Sequence, residues 1–212
     1  MNLKESFKNL QYINKNGYQY FIHPLTDGTS LMDSEDLREF ARWVRDQRGP
    51  DQYDAILTAE SMGIPLATAV SLETGLPMII ARKRQYNLPG EIIVEKTTGY
   101  FKECLYINGI QKGSRVLFID DVYDTGGTLQ TIHLGLLANN IDLVEAFVLV
   151  SKKTSPTIAI PVYSYVEIKD VMPDNCFKCD SGDIYPIYCS GDGIDDPTEW
   201  TCNSCGCTRR LK

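Results

Sequence analysis

The sequence lacks long apolar runs and an excess of positive charge. No stretch approaches the roughly 20 consecutive apolar residues that a membrane-spanning helix needs. The first residues, Met1 to Glu5, are polar and amphipathic and do not resemble a signal peptide. The formal net charge of −7 argues against a broad nucleic-acid-binding surface. We therefore expect a cytoplasmic protein that binds neither membranes nor nucleic acid.

Cysteine is nearly absent from the first 175 residues, where Cys104 stands alone. The six other cysteines follow, and four of them form two Cys-x-x-Cys pairs: Cys176, Cys179, Cys202 and Cys205. Four thiolates at this spacing can hold one tetrahedral Zn²⁺, which favours a structural zinc site over a redox dithiol or a disulfide framework. Cys189 and Cys207 are spare or alternative ligands. We predict a zinc-ribbon-like tail over residues 173–212 and a larger domain over residues 1–172.

Strands and helices alternate through the middle of the chain. Apolar runs bounded by turn residues predict strands, and longer periodic segments predict helices. Alternation of this kind is typical of an α/β fold with a doubly wound parallel sheet. The predicted strands are 53–59, 77–81, 116–119 and 144–150, and the predicted helices are 33–49, 66–72 and 129–137.

The segment from Val116 to Thr128 organises this pattern. An apolar strand runs into Asp120 and Asp121, and a glycine-rich turn then leads into a helix. Ligands of open α/β sheets bind at the carboxyl ends of the strands. Main-chain N–H groups at a helix start favour an anion, and the carboxylates accept hydrogen bonds from hydroxyl groups. A ribose 5-phosphate carries both kinds of group.

This segment resembles the phosphoribosyl-pyrophosphate (PRPP) loop of the type I phosphoribosyltransferases. It is not a Walker loop, because no Gly-Lys-Ser/Thr ends it. The resemblance implies that Asp120 and Asp121 hold the ribose 2- and 3-hydroxyls, and that Mg²⁺ accompanies PRPP. It also implies that the 5-phosphate is bound by Asp124, Thr125, Gly126, Gly127 and Thr128.

Two earlier segments resemble the pyrophosphate-binding parts of the same family. The turn after the first sheet strand implies a cis peptide bond between Glu60 and Ser61. The segment from Arg82 to Glu91 resembles the Arg-Lys…Leu-Pro-Gly segment of the adenine phosphoribosyltransferase-like branch. The cations Arg82 and Lys83 then have the pyrophosphate group as their partner.

Two further strands, 91–98 and 104–108, predict a flexible β flap. The resemblance makes it the loop that closes over PRPP and excludes water. Tyr100 matches an aromatic residue of the adenine-specific relatives. Gly99 stands where many of them have a catalytic glutamate, which weakens an adenine assignment.

The residues around the expected base site favour a 6-oxopurine. An acid at position 124 matches the hypoxanthine-guanine enzymes, where it exchanges a proton with purine N7. Lys152, with Lys153 close behind, matches a lysine that contacts O6. Residues 163–168 are expected to form a hood strand that binds the base through Tyr165 and Val166. The whole pattern most resembles archaeal hypoxanthine/guanine phosphoribosyltransferases, which implies a homodimer that uses PRPP and a purine base.

Two alternatives remain open from the sequence. The first is a phosphoribosyltransferase for adenine or a modified purine. The second is a PRPP-sensing regulator that binds nucleic acid through the zinc ribbon.

Near the amino terminus, helical spacing predicts a helix over residues 3–14. His23 either touches the substrate or, as is more common for a turn histidine, has a structural role.

Overall fold

A computed structural model describes residues 2–7, 10–15, 18–98, 101–152, 158–168, 184–187, 199–202 and 208–210. The chain divides into two compact units, one formed by Met32–Glu167 and the other by Met1–Leu31 with Ile168–Lys212. The predicted boundary after residue 172 stays a prediction. Among the helices of the described residues, none is long and apolar enough to cross a membrane.

A five-stranded parallel sheet forms the core of the unit Met32–Glu167. The strands lie in the order β4-β3-β7-β8-β9. Helices connect or flank them, as the alternating sequence pattern predicts. The strands are β3 (Ala55–Ala59), β4 (Met78–Ala81), β7 (Arg115–Tyr123), β8 (Asp142–Ser151) and β9 (Val162–Glu167), and the helices are α3 (Ser34–Gln47), α4 (Gly63–Thr74) and α5 (Gly127–Leu137).

Helices cover both faces of this sheet. On one face, Val116 and Phe118 of β7 share a buried core with Ile132 of α5. On the other, Trp43 of α3 packs its ring edge-on against Phe147 of β8. A sheet buried on both faces needs apolar residues at successive positions, which accounts for the unbroken apolar runs in the sequence.

The chain leaves β3 and β7 in opposite directions across the sheet. From β3 it passes through α4 to β4, and from β7 it passes through α5 to β8 on the other side. Such a reversal opens a crevice at the carboxyl ends of the two strands. The pairing of β7 with β3 ends at Ile119, whereas its pairing with β8 continues to Tyr123. Asp120 and Asp121 therefore lie in the strand, just past its last residue pair with β3.

The predicted flap is an antiparallel hairpin of β5 (Ile92–Thr98) and β6 (Phe101–Ile107). Its base belongs to the core, because Val94 is 2% exposed and packs against α5, where a Cβ on Gly135 would lie 2.7 Å from Val94 Cγ2. The main chain of Tyr106 pairs with Arg82, at 2.9 and 2.7 Å, which attaches the hairpin to the end of β4. The predicted flexibility of the flap stays a prediction.

The prediction for residues 163–168 is wrong in part. Residues 163–167 do form a strand, as part of β9, but it is the edge strand of the parallel sheet and not a strand of a hood. Valine and tyrosine at alternating positions allow β9 to pair with β8, with Val166 opposite Val150. The sequence pattern specified a strand, but it did not specify the neighbour.

The other unit contains short elements. They are α1 (Leu3–Ser6), the antiparallel pair β1 (Gln11–Lys15) and β2 (Tyr18–Ile22), α2 (Pro24–Asp27), and an antiparallel sheet of β10 (Ile184–Ile187), β11 (Glu199–Cys202) and β12 (Thr208–Arg210). The predicted helix over residues 3–14 is therefore wrong over residues 11–14, which belong to β1. Asn16-Gly17, a strong hairpin signal between two β-prone runs, is the feature that outweighs the helical spacing.

His23 has a structural role in this unit. Its Nδ1 accepts a hydrogen bond from Leu25 N at 3.2 Å, and its Nε2 lies 2.9 Å from Ser6 Oγ. The ring stacks on Phe7, with centroids 4.0 Å apart. Since Nδ1 is an acceptor, Nε2 carries the proton and cannot activate Ser6 as a base. Burial lowers the pKa of His23 to about 4, although Asp27 acts in the opposite direction.

Candidate active site

A cavity of about 270 Å³ lies at the crevice between β3 and β7. Its polar lining comes from the turn after β3, from the segment after β4, from β7 and from the start of α5. It brings together most of the residues predicted to bind pyrophosphate and ribose. These are Glu60, Ser61, Lys83, Asp120 and Asp121, and Thr128 of the predicted 5-phosphate turn also lines the cavity.

Glu60 organises the pyrophosphate side of this cavity. Its Oε2 accepts hydrogen bonds from Arg82 Nε at 2.9 Å and from Lys83 N at 3.0 Å. The Lys83 N–H, and then the Arg82 side chain, lower the pKa of Glu60 against the opposing effect of desolvation. The carboxylate thus holds the start of the cationic segment at the cavity wall. The predicted cis peptide bond between Glu60 and Ser61 is confirmed.

The segment that follows Arg82 folds back on itself through Glu91. The Glu91 carboxylate accepts hydrogen bonds from the main-chain N–H groups of Tyr86 and Asn87, at 3.0 and 3.1 Å, and from Asn108 Nδ2 at 2.9 Å. The Asn108 contact, followed by the main-chain donors, lowers the pKa of Glu91. A carboxylate that keeps its charge therefore braces the Leu-Pro-Gly turn against the end of β6.

Asp120 and Asp121 form a closely coupled pair on β7. Asp121 N donates to Asp120 Oδ1 at 3.0 Å. Desolvation, and then the charge of Asp121, raise the pKa of Asp120 well above its ordinary value. Burial and the neighbouring charge thus both favour the protonated form of Asp120. Both carboxyl groups can still accept hydrogen bonds from sugar hydroxyls.

A second cavity, of about 260 Å³, lies at the turn between β7 and α5. Thr125 Oγ1 accepts a hydrogen bond from Gly127 N at 3.3 Å, and Gly126, with φ of 77°, is the N-cap of α5. A positive φ is readily adopted only by glycine, which explains the residue type. The helix start directs N–H groups toward this turn, so the cavity suits an anion. The lining includes Asp124, Thr125, Gly126, Gly127 and Thr128.

Asp124 and Lys152 meet at the carboxyl ends of β7 and β8. Lys152 Nζ lies 3.5 Å from Asp124 Oδ2, and Lys152 N donates to Tyr123 O at 2.9 Å. The side chain of Lys152 is 18% exposed and that of Asp124 is 39% exposed. Two residues that lie 28 positions apart in the sequence thus present an acid and an ammonium group side by side.

The structure does not support the predicted stacking role of Tyr165. Its ring packs edge-on against Phe40 and Trp43 of α3, at centroid distances of 6.3 and 5.3 Å, and its hydroxyl donates to Glu39. These are the contacts of a residue in the helix–sheet interface. Val166 is 4% exposed, which leaves only its main-chain groups for a ligand.

Several predicted site residues lie outside the described residues: Gly99, Tyr100, Lys153, Cys176, Cys179, Cys189, Cys205 and Cys207. Of the predicted zinc ligands, only Cys202 falls within them, as the last residue of β11. Within the described ranges, no group of three or more histidine, cysteine or acidic residues could hold a metal ion.

The sequence analysis missed Gly63, which approaches the site from α4. A Cβ at this position would overlap Thr58 Oγ1 and lie 2.7 Å from Asp120 Oδ1 and 3.3 Å from Asp120 Cα. Only a residue without a side chain lets α4 pack this closely against β7. The glycine directly after Glu60-Ser61-Met62 was the available signal, but the sequence does not show which strand it meets.

Comparisons with known proteins agree with this geometry. The model of the phosphoribosyl transferase domain matches residues 30–176. A hypoxanthine/guanine phosphoribosyltransferase of Methanohalophilus mahii is 47% identical over 150 residues, which are 71% of this chain and 78% of that protein. One of Methanotorris igneus is 48% identical over 132 residues, which are 62% of this chain and 72% of that protein.

A solved structure shows the same fold at lower sequence identity. Adenine phosphoribosyl transferase from Trypanosoma brucei, in complex with AMP, pyrophosphate and ribose-5-phosphate, superposes with a TM-score of 0.66. The match covers 92% of this chain and 88% of that chain, at 23% identity. At that identity the likeness concerns the fold alone. The domain match and the archaeal relatives show more than the fold. On this evidence the chain belongs to the phosphoribosyl transferase family.

Proposed function

We propose that the protein is a purine-salvage phosphoribosyltransferase for 6-oxopurines. It transfers the 5-phosphoribosyl group of PRPP to N9 of hypoxanthine or guanine and releases pyrophosphate. The observation that carries the base assignment is the ion pair of Asp124 and Lys152 beside the phosphate turn. The archaeal relatives, which are named hypoxanthine/guanine phosphoribosyltransferases, agree with it.

Each group of PRPP has a partner at the crevice. The 5-phosphate binds at the N–H groups of the turn after Asp124. The ribose hydroxyls donate to Asp120 and Asp121. The pyrophosphate lies against Lys83 and the main chain at Ser61, while Glu60 holds Arg82 in position. Contacts along the whole substrate orient C1 of the ribose toward the base.

The transfer step needs a proton acceptor near the base. The N9 lone pair attacks C1, the bond from C1 to pyrophosphate breaks, and its electron pair leaves with the pyrophosphate. As N9 is alkylated, the proton on N7 becomes acidic and passes to the Asp124 carboxylate. Lys152 donates a hydrogen bond to the purine O6. The 6-amino group of adenine would instead meet the ammonium with its own N–H donors, which disfavours adenine.

Mg²⁺ fits this site as a companion of PRPP rather than as a resident metal. The acidic pair supplies oxygen donors, and the described residues contain no cluster of three such ligands. Mg²⁺ usually keeps several waters and binds through one or two carboxylates together with substrate phosphates. When bound, it neutralises charge on the departing pyrophosphate. Asp120 and Asp121 are the residues that would face it.

The test of the proposed function is identification of the product. Incubation of the protein with PRPP, Mg²⁺ and hypoxanthine is expected to give inosine monophosphate and one equivalent of pyrophosphate, measured by mass spectrometry and a coupled phosphate assay. Formation of AMP from adenine, without a product from either 6-oxopurine, would contradict the base assignment. PRPP binding without any product would favour the regulator instead.

We also propose that the C-terminal segment is a zinc ribbon. Support comes from the three-stranded antiparallel sheet of β10, β11 and β12 and from its register, in which Ile184 pairs with Cys202. The chain enters β10 and leaves β11 at the same end of this sheet. Cys176 and Cys179 precede β10, and Cys205 follows β11, so both Cys-x-x-Cys pairs are close in sequence to that end. Thiolates are the donors that a structural zinc site uses.

The zinc proposal predicts the metal content of two serine variants of the full chain. The wild type should hold about one Zn²⁺ per chain, and Cys202→Ser should lose most of it on dialysis against a chelator, because three thiolates bind more weakly than four. Cys104→Ser is the matched control, since Cys104 lies on β6, at least 72 positions before both pairs in the sequence, and should keep the metal. Plasma mass spectrometry measures the content. Equal zinc in the two variants, or none in the wild type, would refute the ribbon.

The predicted homodimer and the cytoplasmic location stay predictions. Light scattering on the eluting peak of a sizing column measures the first, and cell fractionation measures the second.

A further inference from the structure

The Tyr123 side chain is buried beneath the phosphate turn with an unsatisfied hydroxyl. Tyr123 is the last residue of β7 and is 3% exposed. Within the described part of the chain, its hydroxyl has no hydrogen-bond partner. Removing a hydroxyl from water without giving it a partner disfavours the folded state, so buried hydroxyls are nearly always bonded. This exception calls for a physical reason.

The hydroxyl lies against the first glycine of the turn. A Cβ on Gly126 would sit 2.5 Å from the Tyr123 hydroxyl oxygen and 2.9 Å from Cζ. The absence of a side chain at Gly126 therefore admits the tyrosine ring. Tyr123 also belongs to the lining of the cavity formed by the turn. The main chain of Gly126 thus covers the Tyr123 hydroxyl. This contact lies at the cavity that we propose for the 5-phosphate.

Tyr123 is anchored to the sheet through its main chain, and its ring belongs to the buried core that β7 shares with α5. Tyr123 pairs with Ser151 in the register of β7 and β8, and its carbonyl accepts from Lys152 N at 2.9 Å. Gly126 and Gly127 themselves carry no side chains that could hold this part of the turn to the sheet. A small adjustment of the turn around an anion therefore changes what the hydroxyl meets while the ring stays in place.

We propose that Tyr123 is a positioning residue of the phosphate site, whose hydroxyl gains its hydrogen bond when a 5-phosphate is bound. Binding then adds a bond that the ligand-free protein lacks, and the turn becomes selective for a phosphorylated ribose. This inference rests on the proposed function, because it takes the turn to be the 5-phosphate site. It assigns to Tyr123 a role in binding the phosphate and none in the transfer of the proton.

The variant Tyr123→Phe separates this role from a structural one. A hydroxyl that stabilises the free protein lowers the melting temperature when it is removed, whereas an unsatisfied one does not. We expect Tyr123→Phe to melt at or above the wild-type temperature without ligand. We also expect the KM for PRPP and the Kd for inosine monophosphate to rise by about tenfold or more. The KM for hypoxanthine should change by less than about twofold, because the base lies at Asp124 and Lys152.

Tyr53→Phe is the matched control for the loss of a buried hydroxyl. Tyr53 is 4% exposed, but its hydroxyl donates to the buried carboxylate of Glu145. This variant should melt at a lower temperature and keep the wild-type KM for PRPP. Differential scanning fluorimetry, calorimetric titration and steady-state kinetics on the full chain supply the readouts.

Two results overturn the inference. One is an unchanged KM for PRPP in Tyr123→Phe, and the other is a lower melting temperature with equal losses for both substrates. Failure of the wild type to bind inosine monophosphate would instead overturn the proposed function, and the inference with it, so the two failures are distinguishable.

Discussion

Asp124→Asn should lower kcat for hypoxanthine by about a hundredfold or more, because positioned acid–base groups contribute about 10²–10⁴-fold. The amide fills the same space and still accepts a hydrogen bond, but it cannot take the N7 proton. The KM for PRPP should change by less than about threefold, since the N–H groups of the turn remain. Steady-state kinetics with each substrate varied in turn measure both effects.

Two controls separate proton transfer from a disturbed site. Asp142→Asn makes the same change on an exposed residue at the start of β8 and should behave as the wild type. 7-Deazahypoxanthine has a carbon in place of N7, so it has neither an N7 proton nor a free N9 lone pair; it should bind without giving a product, with a similar Kd for the wild type and Asp124→Asn. A much weaker binding of this base by Asp124→Asn would mean that Asp124 acts mainly by holding Lys152. Unchanged turnover in Asp124→Asn would refute its proposed role.

Gly63→Ala should impair both the fold and the binding of PRPP. The added methyl group overlaps Thr58 Oγ1 and approaches Asp120 Oδ1 to 2.7 Å, so the Asp120 side chain must move. Overpacking of a buried site costs typically about 1–3 kcal/mol of unfolding free energy. A displaced Asp120 should raise the KM for PRPP by about tenfold or more, at about 1.4 kcal/mol per tenfold change. Urea unfolding and PRPP titration measure the two effects.

Gly49→Ala provides the comparison. A Cβ on Gly49 meets no heavy atom within 4 Å, and its φ of −65° suits alanine. This variant should be as stable as the wild type, or slightly more stable, because alanine restricts the unfolded chain. If Gly63→Ala binds PRPP as tightly as Gly49→Ala, then the close packing of α4 does not position Asp120.

The sequence predicted the parallel sheet and the turn between β7 and α5 well, because both depend on local patterns. The strand that runs into Asp120 and the glycines after it are specified by neighbouring residues. Asp124 and Lys152 were predicted separately as site residues, and their ion pair was not predicted. Asp124 follows β7 and Lys152 follows β8, and neighbouring parallel strands end at one edge of the sheet, which brings the two side chains together.

Other features depended on contacts between distant segments. The residue pattern of β9 predicts a strand wherever the segment lies. Its position beside β8 depends instead on which edge of the sheet is free to pair. Tyr165 then packs under α3 instead of facing a base. The β1–β2 hairpin competed with helical spacing over the same residues, and pairing between the two strands prevailed. Gly63 is one glycine among sixteen, and only its neighbours in space reveal its role.

The central claim is that the Asp124 and Lys152 pair selects a 6-oxopurine for transfer onto PRPP. The most direct measurement is kcat/KM for pyrophosphate release with hypoxanthine, guanine and adenine, each at saturating PRPP and Mg²⁺. The account predicts that hypoxanthine or guanine exceeds adenine by about a hundredfold or more, because one mismatched donor leaves buried polar groups unpaired. Equal values for the three bases, or a preference for adenine, would contradict it.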